Sequence, residues 1–157
     1  MSKTTPATLA LDRARVAYTL ATYDYDPGAD RIGLQAAQAL GVAPAEVLKT
    51  LIVRADGKPA CVILASDHEV SMKRLAAALG AKTAGMMPPA DAERITGYRV
   101  GGVSPFGQKK RLPTVVDAAA ARLEHAFMNG GQRGLQVRLA PADAVAMLDA
   151  TIAEIAG

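Results

Sequence analysis

A segment near the middle of the chain, residues 97–113, is too rich in glycine and proline for any regular element of that length. It holds four glycines and two prolines in seventeen residues. Glycine weakens the interior of helices and strands, and proline lacks the amide hydrogen that both elements use. We therefore predict that this segment is mostly loop.

The residues before this loop have apolar periodicities and turn residues that predict helices mixed with strands. Asp56-Gly57 separates two strand-like runs and is a pair typical of tight hairpins. Ser71 precedes an Ala- and Leu-rich run and suits a helix N-cap. The expected elements are a helix at 6–16, a strand at 18–25, a helix at 33–40, a hairpin of strands 48–54 and 59–65, and helices at 71–79 and 90–95.

The residues after the loop predict short strands at 112–117, 125–128 and 135–139. Pro141 then opens a closing helix, in which Val145, Leu148 and Ile152 recur at helical spacing. Strands and helices mix without strict βαβ alternation, which favours an α/β fold of the α+β type over a doubly wound sheet. We expect a mixed, partly barrel-like β-sheet wrapped by helices, in a single domain of residues 1–157.

The N-terminal residues and the apolar runs exclude a membrane protein at the level of sequence. Residues 1–6 contain no apolar run, and no stretch approaches the roughly 18 apolar residues of a membrane span. We expect a cytoplasmic protein with no membrane partner. The single cysteine, Cys61, lies in an apolar run and is predicted to be a core residue, where burial raises the pKa of a thiol.

The common catalytic arrangements are absent from the sequence. His68, His125 and Cys61 are far apart and lack the spacing of metal ligands, so no metal or other cofactor is expected. Ser104 is not in a Gly-x-Ser-x-Gly turn, which argues against a serine triad. Gln108 separates the last glycine of the loop from its lysines, which excludes a P-loop.

The glycine-rich loop and its lysine-rich end remain as candidates for chemistry. The amides of Gly101 and Gly102 could hold a carbonyl oxygen, with Pro105 stiffening the loop, or the loop could be plain surface. Lys49 is either an outward-facing strand residue or a cation in a pocket. Lys109, Lys110 and Arg111 could bind a polyanion, or they could be a solvated face of a chain whose net charge is only +3.

Four sequence blocks carry a more specific signal. They are Thr22-Tyr-Asp-Tyr-Asp-Pro27, Val47-Leu-Lys-Thr-Leu51, residues 96–114, and Gly130-Gly-Gln-Arg-Gly-Leu135. In this order they closely resemble the YbaK/EbsC branch of the prolyl-tRNA editing family, over nearly the whole chain. The resemblance implies a fold related to the editing insertion of bacterial prolyl-tRNA synthetase. It also implies deacylation of Cys-tRNA(Pro), and to some degree of Cys-tRNA(Cys), because a binding pocket discriminates poorly between amino acids of similar size.

The resemblance also implies roles for individual residues. Lys49 corresponds to the family's essential lysine, Tyr23 to its pocket tyrosine, and Gly101 through Pro105, with Val103 and Ser104 between them, to its Gly-x-x-x-Pro loop. Lys49 is expected to anchor the terminal adenosine and the acyl ester, and the loop amides to hold the ester carbonyl. No protein nucleophile is required, because the substrate's own thiol can attack its ester.

Two positions depart from the pattern of the cysteine-specific relatives. Asn129 stands where those relatives have a serine, and Gln136 stands where they have an aspartate. Gln136 keeps an acceptor but loses the negative charge that would hold a substrate ammonium. The alternatives are therefore a deacylase for Ala- or Ser-tRNA, or a non-catalytic module that binds tRNA or a synthetase. Prolyl-tRNA synthetase is the expected protein partner.

Overall fold

The computed structural model describes residues 4–28 and 32–157. Within these ranges the chain forms α-helices, β-strands and one short 3-10 helix at Pro44–Glu46. The helices are α1 (Pro6–Arg13), α2 (Ile32–Leu40), α3 (Met72–Ala78), α4 (Pro89–Thr96), α5 (Ala118–Ala121) and α6 (Pro141–Leu148). The strands are β1 (Thr19–Thr22), β2 (Leu48–Ala55), β3 (Lys58–Ala65), β4 (Ala84–Met86), β5 (Thr114–Asp117), β6 (Ala126–Asn129), β7 (Leu135–Leu139) and β8 (Thr151–Ala153).

The described strands form two sheets, in the orders β1-β7-β6 and β4-β2-β3-β5-β8. The first sheet is antiparallel. The second is mixed, since β2 pairs antiparallel with β3 and β4 while β5 pairs parallel with β3 and β8. The predicted mixed α/β fold is confirmed, with its strands divided between two sheets, neither of which closes into a barrel.

A parallel bridge between Val47 and Phe127 joins the two sheets where β2 and β6 begin. Two residues further along the same direction lie Lys49 on β2 and Asn129 on β6. Asn129 in turn pairs with Gln136 on β7. The junction therefore places Lys49, Asn129 and Gln136 in one row across three strands.

The other face of this junction belongs to the main core. Successive side chains of a strand point to opposite faces of a sheet. Leu48, Met128 and Val137, each next to a residue of the row, are buried in the largest apolar cluster. The polar row therefore borders the main core.

The glycine-rich segment is a loop, as predicted, but the core anchors it. Phe106 is completely buried in the main cluster, and Tyr98 is 4% exposed. The hydroxyl of Tyr98 donates to the carbonyl oxygen of Phe106, and the amide of Phe106 donates to Ser104 Oγ at 3.2 Å. Burial of two aromatic side chains holds the loop in place against the sheets.

The hairpin and the N-cap predicted from local sequence are both confirmed. Asp56 and Gly57 have φ values of 50° and 80°, and the positive φ at both central residues is characteristic of a type I′ turn. Ser71 caps α3, because its side chain accepts a hydrogen bond from the amide of Arg74 at 3.2 Å. Both features depend on neighbours in sequence, which explains why the sequence predicts them.

The closing helix is shorter than predicted, and the assignment of Ile152 was wrong. Asp149 takes a left-handed conformation with a φ of 50° and ends α6 after Leu148. Ile152 instead lies in β8, opposite Val116 of β5. Helical spacing was misleading here because β8 exists through pairing with a strand more than thirty residues earlier.

None of the helices in the described ranges combines the length and the apolar character that crossing a bilayer requires.

Cys61 lies in β3 and is completely buried, as its apolar neighbours predicted. Desolvation by burial raises the pKa of its thiol to about 12. The side-chain amide of Gln108 approaches the sulfur at 3.7 Å and opposes this shift only weakly. The thiol is therefore protonated and inaccessible at neutral pH.

This burial predicts that the native protein resists thiol reagents. At pH 8, Ellman's reagent should leave Cys61 unmodified over the time in which it labels the same protein fully in guanidinium chloride. Because the chain has one cysteine, the absorbance change counts Cys61 alone. Rapid stoichiometric labelling of the native protein would contradict the burial of this side chain.

Candidate active site

A cleft of about 320 Å³ opens on the polar row at the sheet junction. Five of the residues predicted from sequence line it: Lys49, Gly101, Val103, Asn129 and Gln136. Apolar residues form most of the remaining wall, among them Ile52, Met86, Met87, Ala92 and Val100. Such a combination of apolar walls with a few convergent polar groups is typical of a small-molecule site.

Strand β2 supplies one whole side of the cleft, from Leu48 to Ile52. Lys49 is partly buried there and lines the cleft together with apolar residues. Thr50 also lines the cleft, and its buried Oγ1 has no hydrogen-bond partner among the described residues. Thr50 is a site residue that the sequence analysis did not single out.

Gln136 presents a second unsatisfied polar atom to the cleft. The residue is only 4% exposed, and its Oε1 has no hydrogen-bond partner in the described part of the chain. A buried acceptor without a partner costs free energy, so most such groups in native proteins are satisfied by protein, water or a ligand. Gln136 and Thr50 thus retain unused hydrogen-bonding capacity in the wall of the cleft.

Asn129 links the two glycine-rich loops that border the cleft. Its Nδ2 donates to the carbonyl oxygen of Gly101 at 3.1 Å. Its Oδ1 accepts from the amides of Gly131 at 2.7 Å and Gln132 at 3.3 Å. The carboxamide therefore fixes the distance between the loops.

Gly101 and Gly102, which the sequence analysis treated together, face different parts of the surface. Gly101 lines the cleft and has a φ of 90°. A Cβ on Gly101 would lie 2.7 Å from Tyr25 Oη, so only glycine fits there without displacing the tyrosine. The amide of Gly102 donates to the carbonyl oxygen of Arg99 at 2.8 Å, and Gly102 lies outside this cleft. The expectation that both amides point into one pocket is therefore not met for Gly102.

Ser104 and Pro105 lie beneath the cleft and do not line it. Both are buried, and Ser104 Oγ is bonded to the Phe106 amide inside the loop. Their position matches a role in loop structure, whereas Val103, next to them, reaches the cleft wall.

Tyr23 lies beside the cleft rather than in it. The residue lines a second, larger depression of about 720 Å³ and packs against Ala36, Ala37 and Val47. Its hydroxyl is buried without a partner among the described residues. Burial, and secondarily the nearby Tyr25, raises the pKa of the Tyr23 phenol, which keeps it neutral.

The three basic residues at the end of the loop are exposed and lie outside the lining of the cleft. The backbone amide of Lys109 donates to the carbonyl oxygen of Thr96 at 2.8 Å, which attaches this end of the loop to the end of α4. Lys110 and Arg111 continue from it along the surface.

The sequence of this chain matches a known domain family and several known proteins. The aminoacyl-tRNA editing domain family matches residues 26–147. A curated protein of Enterococcus faecalis, named "Putative Cys-tRNA(Pro)/Cys-tRNA(Cys) deacylase EbsC", is 31% identical over 135 residues, which cover 85% of this chain and 82% of the relative. A proline–tRNA ligase of Geobacillus thermodenitrificans is 26% identical over 100 residues, 64% of this chain and 18% of the ligase.

Solved structures share the fold over nearly the whole chain. The structure of APE2540 has a TM-score of 0.88 at 22% identity and covers 98% of this chain and 100% of its own. A second, described as "a putative trans-editing enzyme for prolyl tRNA synthetase", has a TM-score of 0.81 at 19% identity, with 97% and 95% coverage.

The fold and the cleft define a small α/β protein of the editing-domain type. The chain belongs to the aminoacyl-tRNA editing domain family, in its YbaK/EbsC-type branch. The resemblance predicted from the four sequence blocks is confirmed.

The unsatisfied hydroxyl of Tyr23 predicts an unusual mutational result. Tyr23→Phe removes a buried group that has no protein partner, so the free energy of unfolding should stay constant or rise slightly. Tyr98→Phe is the matched control, because it removes a hydroxyl that donates to the Phe106 carbonyl and should cost about 1–3 kcal/mol. Denaturant unfolding of the two variants measures this difference. Equal destabilisation would contradict the assignment.

Proposed function

We propose that this chain is a trans-acting aminoacyl-tRNA deacylase that removes cysteine from mischarged Cys-tRNA(Pro), and from Cys-tRNA(Cys) to a lesser degree. The observation that carries the proposal is the cleft at the sheet junction, which Lys49, Gln136 and the Gly101 loop line together. Family membership supports the class of reaction. The name of the Enterococcus faecalis relative supports cysteine as the amino acid.

The size and lining of the cleft suit a small acyl group. Its volume of about 320 Å³ lies at the lower end of the range for ligand sites. Met86 and Met87 give part of the wall two flexible apolar side chains, which adapt to the shape of a small neighbouring group. An aminoacyl side chain of the size of cysteine fits this description.

Each polar group of the cleft has a role in the proposed reaction. The ammonium of Lys49 stabilises negative charge on the ester carbonyl oxygen as the carbonyl carbon becomes tetrahedral, and the Gly101 amide assists it. Gln136 Oε1 accepts a hydrogen bond from the α-amino group. Asn129 positions the Gly101 loop, and Tyr23 supports the neighbouring wall.

The substrate supplies the nucleophile in this proposal. Its thiolate attacks its own ester carbonyl carbon, so a carbon–sulfur bond forms and the bond from that carbon to the ribose oxygen breaks. The ribose oxygen leaves with the electron pair and takes a proton. The amino acid departs as a cyclic thioester, and the tRNA is released uncharged. Attack by water is the hydrolytic alternative, and it would also cleave amino acids without a thiol.

Two further features of the proposal concern where the protein acts. Lys109, Lys110 and Arg111 contact tRNA phosphates, which their exposure allows. The match to part of a proline–tRNA ligase supports action beside prolyl-tRNA synthetase, in the cytoplasm. A deacylase for Ala- or Ser-tRNA is the second candidate, and Asn129 and Gln136 favour it because both positions depart from the cysteine-specific pattern.

The proposed role of Lys49 predicts a loss of catalysis without a loss of fold. Lys49→Ala should lower kcat/KM for Cys-tRNA(Pro) by about 10²–10³, as expected for removal of one group that stabilises an oxyanion. Lys73→Ala, at an exposed lysine of α3, is the matched control. Release of labelled cysteine measures the rate. Undiminished turnover in Lys49→Ala would remove Lys49 from the mechanism. If the wild-type protein binds Cys-tRNA(Pro) but releases no cysteine, the chain is a non-catalytic module.

The neutral side chain of Gln136 predicts that an acidic substitution tightens substrate binding. Gln136→Asp should lower KM for Cys-tRNA(Pro) about fivefold, because a charged acceptor binds an ammonium about 1 kcal/mol more strongly than a neutral one. Gln38→Asp, on the exposed side of α2, is the control.

The same assay with Cys-, Ala- and Ser-tRNA(Pro) tests the amino acid. We expect the cysteine ester to be cleaved fastest. Preferential cleavage of Ala-tRNA(Pro) would overturn the cysteine assignment and the thiol mechanism together.

A further inference from the structure

Arg133 and Tyr25 form an aromatic and cationic pair at the rim of the active-site cleft. The guanidinium carbon of Arg133 lies 5.3 Å from the centre of the Tyr25 ring. Arg133 Nε donates to the carbonyl oxygen of Val100 at 2.9 Å, and Val100 lines the cleft. On the other side, Tyr25 touches the position that a Gly101 side chain would occupy. Val100 and Gly101 therefore lie between this pair and the cleft in which the ester is proposed to react.

Arg133 stands between two further depressions of the surface. The one of about 720 Å³ contains Tyr25 and Arg133 together with the exposed carboxylate of Asp24. The other, of about 310 Å³, contains Arg133 and Arg99, and its described lining residues include no Asp or Glu. Arg133 is common to both depressions, which differ in that the first adds the carboxylate of Asp24 and the second adds the cation of Arg99.

The cationic depression has a surface that backbone phosphates could approach closely. Gly97, Gly102 and Gly131 line it. A Cβ on Gly102 or Gly131 would meet protein atoms at 2.9 Å, so of the three only Gly97 leaves its side-chain position open. A Cβ on Gly97 would lie 3.5 Å from the Cβ of Lys109. Lys109 therefore adjoins the depression that Arg99 and Arg133 line.

We propose that Arg133, with Tyr25 and Arg99, forms a second subsite that binds the single-stranded 3′ end of the acylated RNA next to its reacting nucleotide. The base stacks against the Tyr25–Arg133 pair, and the phosphate binds between Arg133 and Arg99. Asp24 repels phosphate from the aromatic depression, which assigns the base to that side and the phosphate to the other. This inference rests on the proposed function, because the acyl ester must lie in the cleft for its RNA to follow this path.

The general chemistry of RNA recognition supports this arrangement. Single-stranded RNA is bound by aromatic rings and arginine planes that stack on bases, combined with cations that follow the backbone. Arginine also forms paired hydrogen bonds with phosphate oxygens, which lysine does not reproduce. The rim of this cleft provides both elements within a few residues.

The experiment compares two substrates that share the ester and differ in the RNA. One is Cys-tRNA(Pro), and the other is cysteinyl-adenosine, a nucleoside ester without any phosphate. Arg133→Ala should raise KM for Cys-tRNA(Pro) about tenfold at unchanged kcat, as expected for loss of one charged contact. Both parameters for cysteinyl-adenosine should stay within twofold of the wild-type values. Arg122→Ala, at an exposed arginine that lines neither depression, is the matched control.

Salt dependence and conservative variants test the chemistry of the subsite. Loss of one phosphate contact should reduce the slope of log affinity against log salt concentration by about 0.7 in Arg133→Ala and in Arg99→Ala. Arg133→Lys should keep this slope while weakening binding. Tyr25→Phe should retain affinity, and Tyr25→Leu should lose it, because stacking requires the ring.

The outcomes separate this subsite from the proposed function. Equal losses of Arg133→Ala on both substrates would overturn the subsite and make Arg133 a positioning residue for the Gly101 loop, through its bond to Val100. Wild-type KM for Cys-tRNA(Pro) in Arg133→Ala would also overturn it. If the wild-type protein cleaves neither substrate, the proposed function fails. The subsite is then tested by the fluorescence anisotropy of labelled cytidylyl-cytidylyl-adenosine. Binding of this trinucleotide that Arg133→Ala weakens supports the subsite, and absence of binding to the wild-type protein overturns it.

Discussion

The bridge between Val47 and Phe127 is the contact on which the site depends, because it joins two sheets that otherwise have separate strands. Joining β2 to β6 aligns Lys49 from one sheet with Asn129 and Gln136 from the other. The apolar neighbours of these residues, Leu48, Met128 and Val137, are buried in the main core, and the polar residues line the cleft. A shift of one residue at this bridge would exchange the two faces, so burial of the core also sets the position of the cleft residues.

The cleft combines rigid supports with polar atoms that the protein leaves unsatisfied. Phe106 and Tyr98 anchor the glycine loop from below, and the Asn129 carboxamide ties it to the loop at 130–134. By contrast, Thr50 Oγ1 and Gln136 Oε1 are buried without partners in the described chain. Unsatisfied buried groups lower the stability of the protein. A binding site retains them when groups that are already in position strengthen the binding of a ligand. This contrast is the physical basis for assigning the cleft, rather than the basic surface, to the chemistry.

The glycines of the two loops show how the same residue type serves different purposes. Gly101 is required because a side chain would displace Tyr25. At Gly102 a Cβ would lie 2.9 Å from the backbone nitrogen of Arg133, so this glycine allows the two loops to approach each other. Both glycines are candidates for an oxyanion site by sequence, because the sequence shows that they lack a side chain. It does not show in which direction their amide groups point. The internal hydrogen bond of Gly102 is a property of the folded loop alone.

The sequence by itself determined the features that depend on near neighbours: the hairpin turn at Asp56-Gly57, the cap at Ser71, the loop at 97–113 and the burial of Cys61 in an apolar run. Its blocks also identified the family. Tertiary structure alone decided the division into two sheets, the strands β4 and β8, and the positions of Thr50, Tyr25 and Arg133 at the cleft and its rim. These depend on pairing and packing between residues far apart in sequence, whose free energy exists only when the chain is folded, so no local pattern records them.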